Sequence, residues 1–196
     1  MLLMSRSAYH HGDLAHALES AAMELLGEQP AQSISLREVA RRAGVSHNAP
    51  YHHFGDRTQL LKVLAERSMT QLVGQVRAVL AASSEPAERA AALLRCYVGY
   101  ALNQPHAFAA IYDPTICVPG APTATMAPLI DELEQIVADL AVALRPGQSA
   151  AATTGLASAL WASAHGVAEL GRAGHLTPEG CEAAVVSLLD DVIHRP

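Results

Sequence analysis

The sequence predicts an all-α chain of about nine helices, and three observations carry that expectation. Apolar residues make up 51% of the 196 residues while aromatics make up only 4%, so Ala, Leu and Val must do the packing, a composition that favours helices. No stretch sustains the two-residue alternation of β-branched side chains that a half-buried strand requires. Capping residues and proline breaks instead punctuate the chain between runs of helical apolar spacing.

Taken in order, the first helix is expected to start at Asp13, an N-cap after Gly12, with Leu14, Leu18, Ala21 and Leu25 along one stripe. Residues 27–32 form the break. Ser35 and Glu38 make an S-x-x-E capping box for a second helix that turns Leu36, Val39, Ala40 and Ala43 inward and ends near Ala43. Gly44 supplies the backbone for a sharp turn, Val45 fills the angle, and Ser46 is the expected N-cap of a third helix beginning at His47. Residues three and four apart share a helix face, so His47, Asn48, Tyr51 and His52 point outward together while Phe54 packs inward. Pro50 is tolerated because it lies near the helix start. Amide, imidazole and phenol groups suit base edges and phosphates, and Arg37, Arg41 and Arg42 on the second helix form a cluster able to neutralise phosphates. The pattern is a helix-turn-helix over residues 35–54. By itself it fits a solvated helical hairpin as well as a DNA reader.

Asp56 and Gln59 form a second capping-box pattern, and Leu60, Leu61, Leu64, Leu72, Val76 and Leu80 carry a long fourth helix to about Ala81. Ser84 and Pro86 open a fifth helix by cap and N1 proline, running to Asn103. A short helix from Pro105 to Tyr112 follows, and then TICVPGAPTA reads as a loop of the kind that gates pockets. The next helix runs from Met126 to Leu144, closed by Arg145, Pro146 and Gly147. Residues 149–170 contain one charge, Glu169, but are dominated by small residues and include His165, which argues against a membrane span. Ala152, Gly155, Ala159, Ala162 and Gly166 instead permit close helix approach. The last helix, capped by Thr177 with Pro178 at its first position, presents Val185, Leu188, Leu189, Val192 and Ile193. These two C-terminal helices are the expected homodimer interface, pairing with their copies in a four-helix bundle.

The net charge of -6 appears at first to disfavour a nucleic-acid partner, but its distribution does not. Residues 1–67 hold seven Lys or Arg, seven Asp or Glu and six of the ten histidines, whereas residues 68–196 hold six basic and twelve acidic residues. Cys96, Cys117 and Cys181 are odd in number and lack C-x-x-C pairing, the usage of a reducing cytosol. The apolar run at Met1 to Met4 is too short for a secretory signal and Arg6 interrupts it, so a cytoplasmic protein is expected.

With YHHGDLAHALESAAMELL before it and GDRTQLLKVLAE after it, SLREVARRAGVSHNAPYHHF resembles the N-terminal DNA-binding domain of the TetR family of bacterial transcriptional regulators. The resemblance implies a three-helix DNA-binding domain over residues 9–67 and a helical regulatory, ligand-binding and dimerisation domain over 68–196. It further implies that Ser35, Tyr51, His53 and Arg57 mainly contact phosphate, while Arg37, His47, Asn48, Ala49 and His52 face base edges; at the position of Arg57 the family usually carries Lys. Trp161, His165 and Gly166 give W-x-x-x-H-G, which resembles the WHG C-terminal domain of a subset of TetR-type regulators and implies placement on a body helix.

The function expected is a DNA-binding regulator, a repressor released from a palindromic operator by a small, mostly apolar effector, with no cofactor, metal or catalytic residue. Tyr97, Tyr100, Phe108, Tyr112, Met126, Trp161 and His165 are candidates to line the effector pocket; a histidine packed on a core tryptophan is the competing reading of the last two. The alternative function is a small helical enzyme using histidine acid/base or metal chemistry at His10, His11, His52 and His53, although no H-E-x-x-H, Cys/His zinc spacing, G-x-S-x-G or phosphate-binding glycine loop is present. A third reading is a redox sensor acting through Cys96 or Cys117.

Overall fold

In the computed structural model the backbone is described over residues 6–194 and side-chain surroundings over residues 13–192, so the side chains of His10, His11 and Ile193 lie outside the described residues. The described chain runs α1 (Arg6–Glu28), a 3-10 turn (Ala31–Ser33), α2 (Leu36–Ala43), α3 (Ala49–Phe54), α4 (Arg57–Ala81), α5 (Pro86–Asn103), α6 (Pro105–Tyr112), α7 (Met126–Leu144), α8 (Ala150–Arg172) and α9 (Pro178–His194). No strand occurs among the described residues.

Most of the local signals act where they stand in the sequence. The hydroxyl of Ser35 accepts from the Glu38 amide at 3.2 Å, Asp56 accepts from the Gln59 amide at 2.8 Å, and Thr177 accepts from the Gly180 amide at 3.1 Å. Each satisfies one orphan donor at a helix start. Three boundaries differ from the sequence reading. Helix α1 begins at Arg6 rather than Asp13 and carries Gly12 within it, because a mid-helix glycine costs only about 1 kcal/mol relative to alanine and a helix continuing on both sides absorbs that. Helix α3 begins at Ala49 rather than His47, since Ser46 accepts from the Ala49 amide at 3.0 Å and draws residues 46–49 into a tight turn. Ahead of α5 the N-cap is Glu85 rather than Ser84, as Pro86 at N1 demands.

The chain divides into two compact units, residues 1–68 with 106–121, and residues 69–105 with 122–196. In the first, α1 packs on α2 and α2 on α3, over a core that includes Leu18, Leu25, Leu26, Ile34, Val39, Leu60 and Leu64. Helix α6 belongs to this unit, whereas the domain boundary read from the sequence put it in the body. The helix buries one face, Ala107, Phe108, Ala110 and Ile111, and helical spacing defines that face without saying which unit covers it.

In the second unit α5 packs on α7, α8 and α9, and α8 packs on α7 and α9. Leu93, Leu133, Leu140, Leu160, Val185 and Leu189 are among its buried side chains. Gly171 of α8 sits where a Cβ would come within 2.7 Å of Cys181 Sγ and 2.8 Å of Leu102 Cδ2. Gly171→Ala is expected to lower stability by about 1 kcal/mol, an overpacking cost of about 1–3 kcal/mol less about 1 kcal/mol of regained helix propensity. A urea midpoint equal to or above that of the parent would show that Cys181 and Leu102 yield freely.

Candidate nucleic-acid interface

The turn between α2 and α3 depends on one glycine. Gly44 takes φ 67° and ψ 30°, the left-handed conformation that side-chain-bearing residues avoid, and the Val45 amide bonds back to the Ala40 carbonyl at 3.1 Å. Pro50 is the second residue of α3, where its missing amide hydrogen would have no helical partner in any case. Ala49, Pro50 and Phe54 face inward and fix the helix, leaving His47, Asn48, Tyr51 and His52 exposed on the other side. Ala49, expected at a base edge, is therefore buried.

The charged side chains around this surface fall into two sets. Arg37 and Arg41 are exposed, and with His47, Asn48, Tyr51 and His52 they have no side-chain partner among the described residues. Arg42 is committed elsewhere: its guanidinium donates to both Glu28 oxygens, at 2.9 and 2.7 Å, and to Glu24 at 3.4 Å. The bond from Arg42 holds the Glu28 carboxyl below its ordinary pKa and Glu28 raises that of Arg42. The arginine cluster read from the sequence is thus a pair open to phosphate plus one strut between α2 and α1.

His53 and Arg57 also have protein partners. His53 Nε2 lies 3.2 Å from Glu19 Oε1, and Arg67 of α4 donates to the other oxygen of the same carboxylate, so Glu19 joins α1, α3 and α4. Arg57 donates through Nε to the Ile34 carbonyl at 3.3 Å and through Nη2 to the Gln32 carbonyl. The Gln32 side chain donates in turn to Asp113, beyond α6. Ser35 uses its oxygen as the α2 cap, and its hydroxyl hydrogen remains available for a phosphate. Glu19, Gln32 and Asp113 escaped sequence reasoning because a tertiary tie leaves no local pattern; only their polarity on otherwise apolar elements hints at it.

The effector-pocket candidates divide between the units. Phe108 and Tyr112 lie in the first, with ring centroids 5.1 Å apart. In the second, Tyr97, Tyr100 and Met126 are buried, and the Tyr97 hydroxyl lies 2.9 Å from His165 Nδ1. The Trp161 and His165 rings are 6.0 Å apart, with Trp161 48% exposed. Burial pushes the His165 pKa down, so the imidazole is neutral at pH 7. A cleft of about 420 Å³, counting its mouth into solvent and with little of it fully enclosed, lies between α5, α7 and α8; Tyr97 and Trp161 line it together with Leu93, Leu94, Leu133, Val137, Leu140, Leu160, Ala90 and Ala164.

Burial raises the pKa of Cys96, Cys117 and Cys181, the opposite of the shift that activates a sensor thiol. Among the described residues no group of three or more His, Cys, Asp or Glu is placed to hold a metal ion, and no helix is long and apolar enough to cross a membrane.

Comparison with known proteins bears on both units. Residues 18–64 match the model for bacterial regulatory proteins of the tetR family, and residues 90–192 match the tetracyclin repressor-like C-terminal domain. The HTH-type transcriptional regulator BetI of Rhizobium meliloti (strain 1021) is 35% identical over 79 residues, which are 40% of this chain and 39% of that protein. A solved structure of a protein with unknown function from Rhodococcus sp. RHA1 is 30% identical, superposes with a TM-score of 0.77 and is matched over 94% of this chain and 96% of its own. The fold is shared with the transcriptional regulator FadR from Bacillus subtilis, solved in complex with stearoyl-CoA, at 12% identity, a TM-score of 0.67 and coverage of 91% and 97%. One family model for the helix-turn-helix and another for more than half of the chain agree, and the chain belongs to the TetR family of bacterial transcriptional regulators.

Proposed function

We propose that this regulator is a homodimeric repressor that reads a palindromic operator through α3 and leaves it when a small, mostly apolar effector binds the body. The observation that carries the reading is the exposed set His47, Asn48, Tyr51 and His52 beside Arg37 and Arg41, which have no side-chain partner among the described residues. Polar side chains held outward on a short, rigid helix suit base edges, and flanking guanidiniums suit phosphate. Dimerisation follows from size, because one helix of six residues buries too little surface for useful specificity. Two copies set about 34–36 Å apart read successive major grooves.

Helices α8 and α9 suit the dimer contact. Gly155, Ala159, Ala162 and Gly166 are exposed along one face of α8, and Val186 of α9 is 40% exposed. The effector acts by preferring the conformation that does not fit the operator, so no catalysis is required. Such a protein works on the chromosome, which places it in the cytoplasm.

Fluorescence anisotropy of the full chain against a labelled DNA pool enriched by selection, over a salt series with random DNA as competitor, tests this. Tight, salt-dependent binding to a palindrome is expected. Asn48→Ala should change base preference by about 1–3 kcal/mol, whereas Tyr51→Ala should weaken selected and random DNA alike. A folded dimer with no preference over random DNA would overturn the reading.

A further inference from the structure

We infer that His47 and His52 hold the operator as imidazolium ions, so that DNA binding takes up protons and this regulator grips its operator more tightly as pH falls. This rests on the operator reading proposed above and adds to it the charge state of the surface that meets DNA. Residues 43–56, which carry the turn and α3, contain three histidines and no Lys or Arg. Only an imidazole can give α3 a positive charge. The unit as a whole supplies no surplus, since residues 1–68 with 106–121 hold seven Lys or Arg against eight Asp or Glu. With its histidines neutral it brings no excess positive charge to a polyanion, and Arg37 and Arg41 act only locally. Histidine is the side chain that changes charge across physiological pH. A phosphate beside an imidazole favours the charged form, so charging and binding support each other.

The three histidines are not equivalent. His53 Nε2 lies 3.2 Å from Glu19 Oε1, so a charge on its ring is met inside the protein whether or not DNA is bound. His47 and His52 are exposed and have no side-chain partner among the described residues. Their counter-charge has to come from the operator. The acids on neighbouring elements do not substitute for it: Glu24 and Glu28 of α1 hold Arg42, Glu19 also receives Arg67 of α4, and Asp56 caps α4. Glu38 belongs to α2, which packs on α3, but it stands one position from Arg37 and three from Arg41. Arg57, at the start of α4, is turned to the Ile34 and Gln32 carbonyls. The gain in affinity is complete once the imidazoles of the free protein are already charged, and it is lost as pH rises past the point where the bound imidazoles give up their protons.

Anisotropy of the full chain on the selected palindrome is read at fixed salt from about pH 6 to about pH 8, the range over which histidine changes charge. Net uptake of one proton is worth about tenfold in affinity per pH unit, so affinity should fall at least about tenfold across that range. The dependence of affinity on salt should be steeper at the acid end by at least about one counterion. The double variant His47→Gln with His52→Gln, at two exposed positions, should keep its helical circular dichroism and lose the pH dependence. If it binds too weakly to follow, the fixed-charge pair His47→Lys with His52→Lys takes its place and should be equally flat. His53→Gln should keep the parent's pH dependence, whatever its affinity. Flat affinity in the parent, a pH dependence that survives in the double variant, or one that vanishes in His53→Gln overturns the inference, while a palindrome still preferred over random DNA leaves the operator reading standing. No such preference at any pH removes both.

Discussion

Phe108→Ala is expected to destabilise the DNA-binding unit by about 3–5 kcal/mol, the cost of deleting a buried ring and leaving a cavity. Phe108 is 0% exposed and is one of the largest fully buried side chains, with Tyr112 stacked obliquely beside it. Total stability of a domain is about 5–15 kcal/mol, so one substitution in α6 should bring the unit close to unfolding. The measurement is native-state hydrogen exchange. Amides of α1, α2 and the first turns of α4 should lose protection before those of α5, α8 and α9, because residues 106–121 belong with residues 1–68. Operator binding should fall with that protection, and Phe108→Leu should recover most of both. Loss of protection confined to residues 122–196 would place α6 energetically in the body and refute the assignment.

That assignment marks the limit of what was legible in the sequence. Helix caps at Ser35, Asp56 and Thr177, the turn at Gly44 and the small-residue face of α8 are local, and each could be read from residue types a few positions apart. The start of α1 was misread because Gly12 followed by Asp13 mimics a cap when the helix simply continues through it. Tertiary ties were invisible for a different reason. Arg42 could be sorted from Arg37 and Arg41 only once α1 brought Glu24 and Glu28 across to it. Likewise His53, expected on phosphate, meets a glutamate 34 positions earlier. The exposed face of α3 was legible because helical spacing alone determines it; which of its neighbours are already paired was not.

Arg57 is where that distinction has the largest consequence for DNA binding. The family resemblance makes it a phosphate contact at the start of α4, where relatives usually carry Lys. The structure turns two of its donors to the Ile34 and Gln32 carbonyls, just ahead of the Ser35 cap of α2. A guanidinium has five N–H groups in a planar fork, so it can hold the entry to α2 and still face a phosphate. Arg57→Ala is expected to weaken selected and random DNA alike by roughly tenfold, since these are exposed charge-assisted bonds, and to make the salt dependence shallower by about one counterion. Arg57→Lys separates the two roles. It keeps the charge and should restore the salt slope, but a single ammonium does not reproduce the planar fork to residues 32 and 34, so affinity should stay below that of the parent. Full affinity in Arg57→Lys would reduce Arg57 to a point charge. An unchanged slope in Arg57→Ala, with weakened binding, would make it a positioning residue that holds α2 against α4 and touches no phosphate.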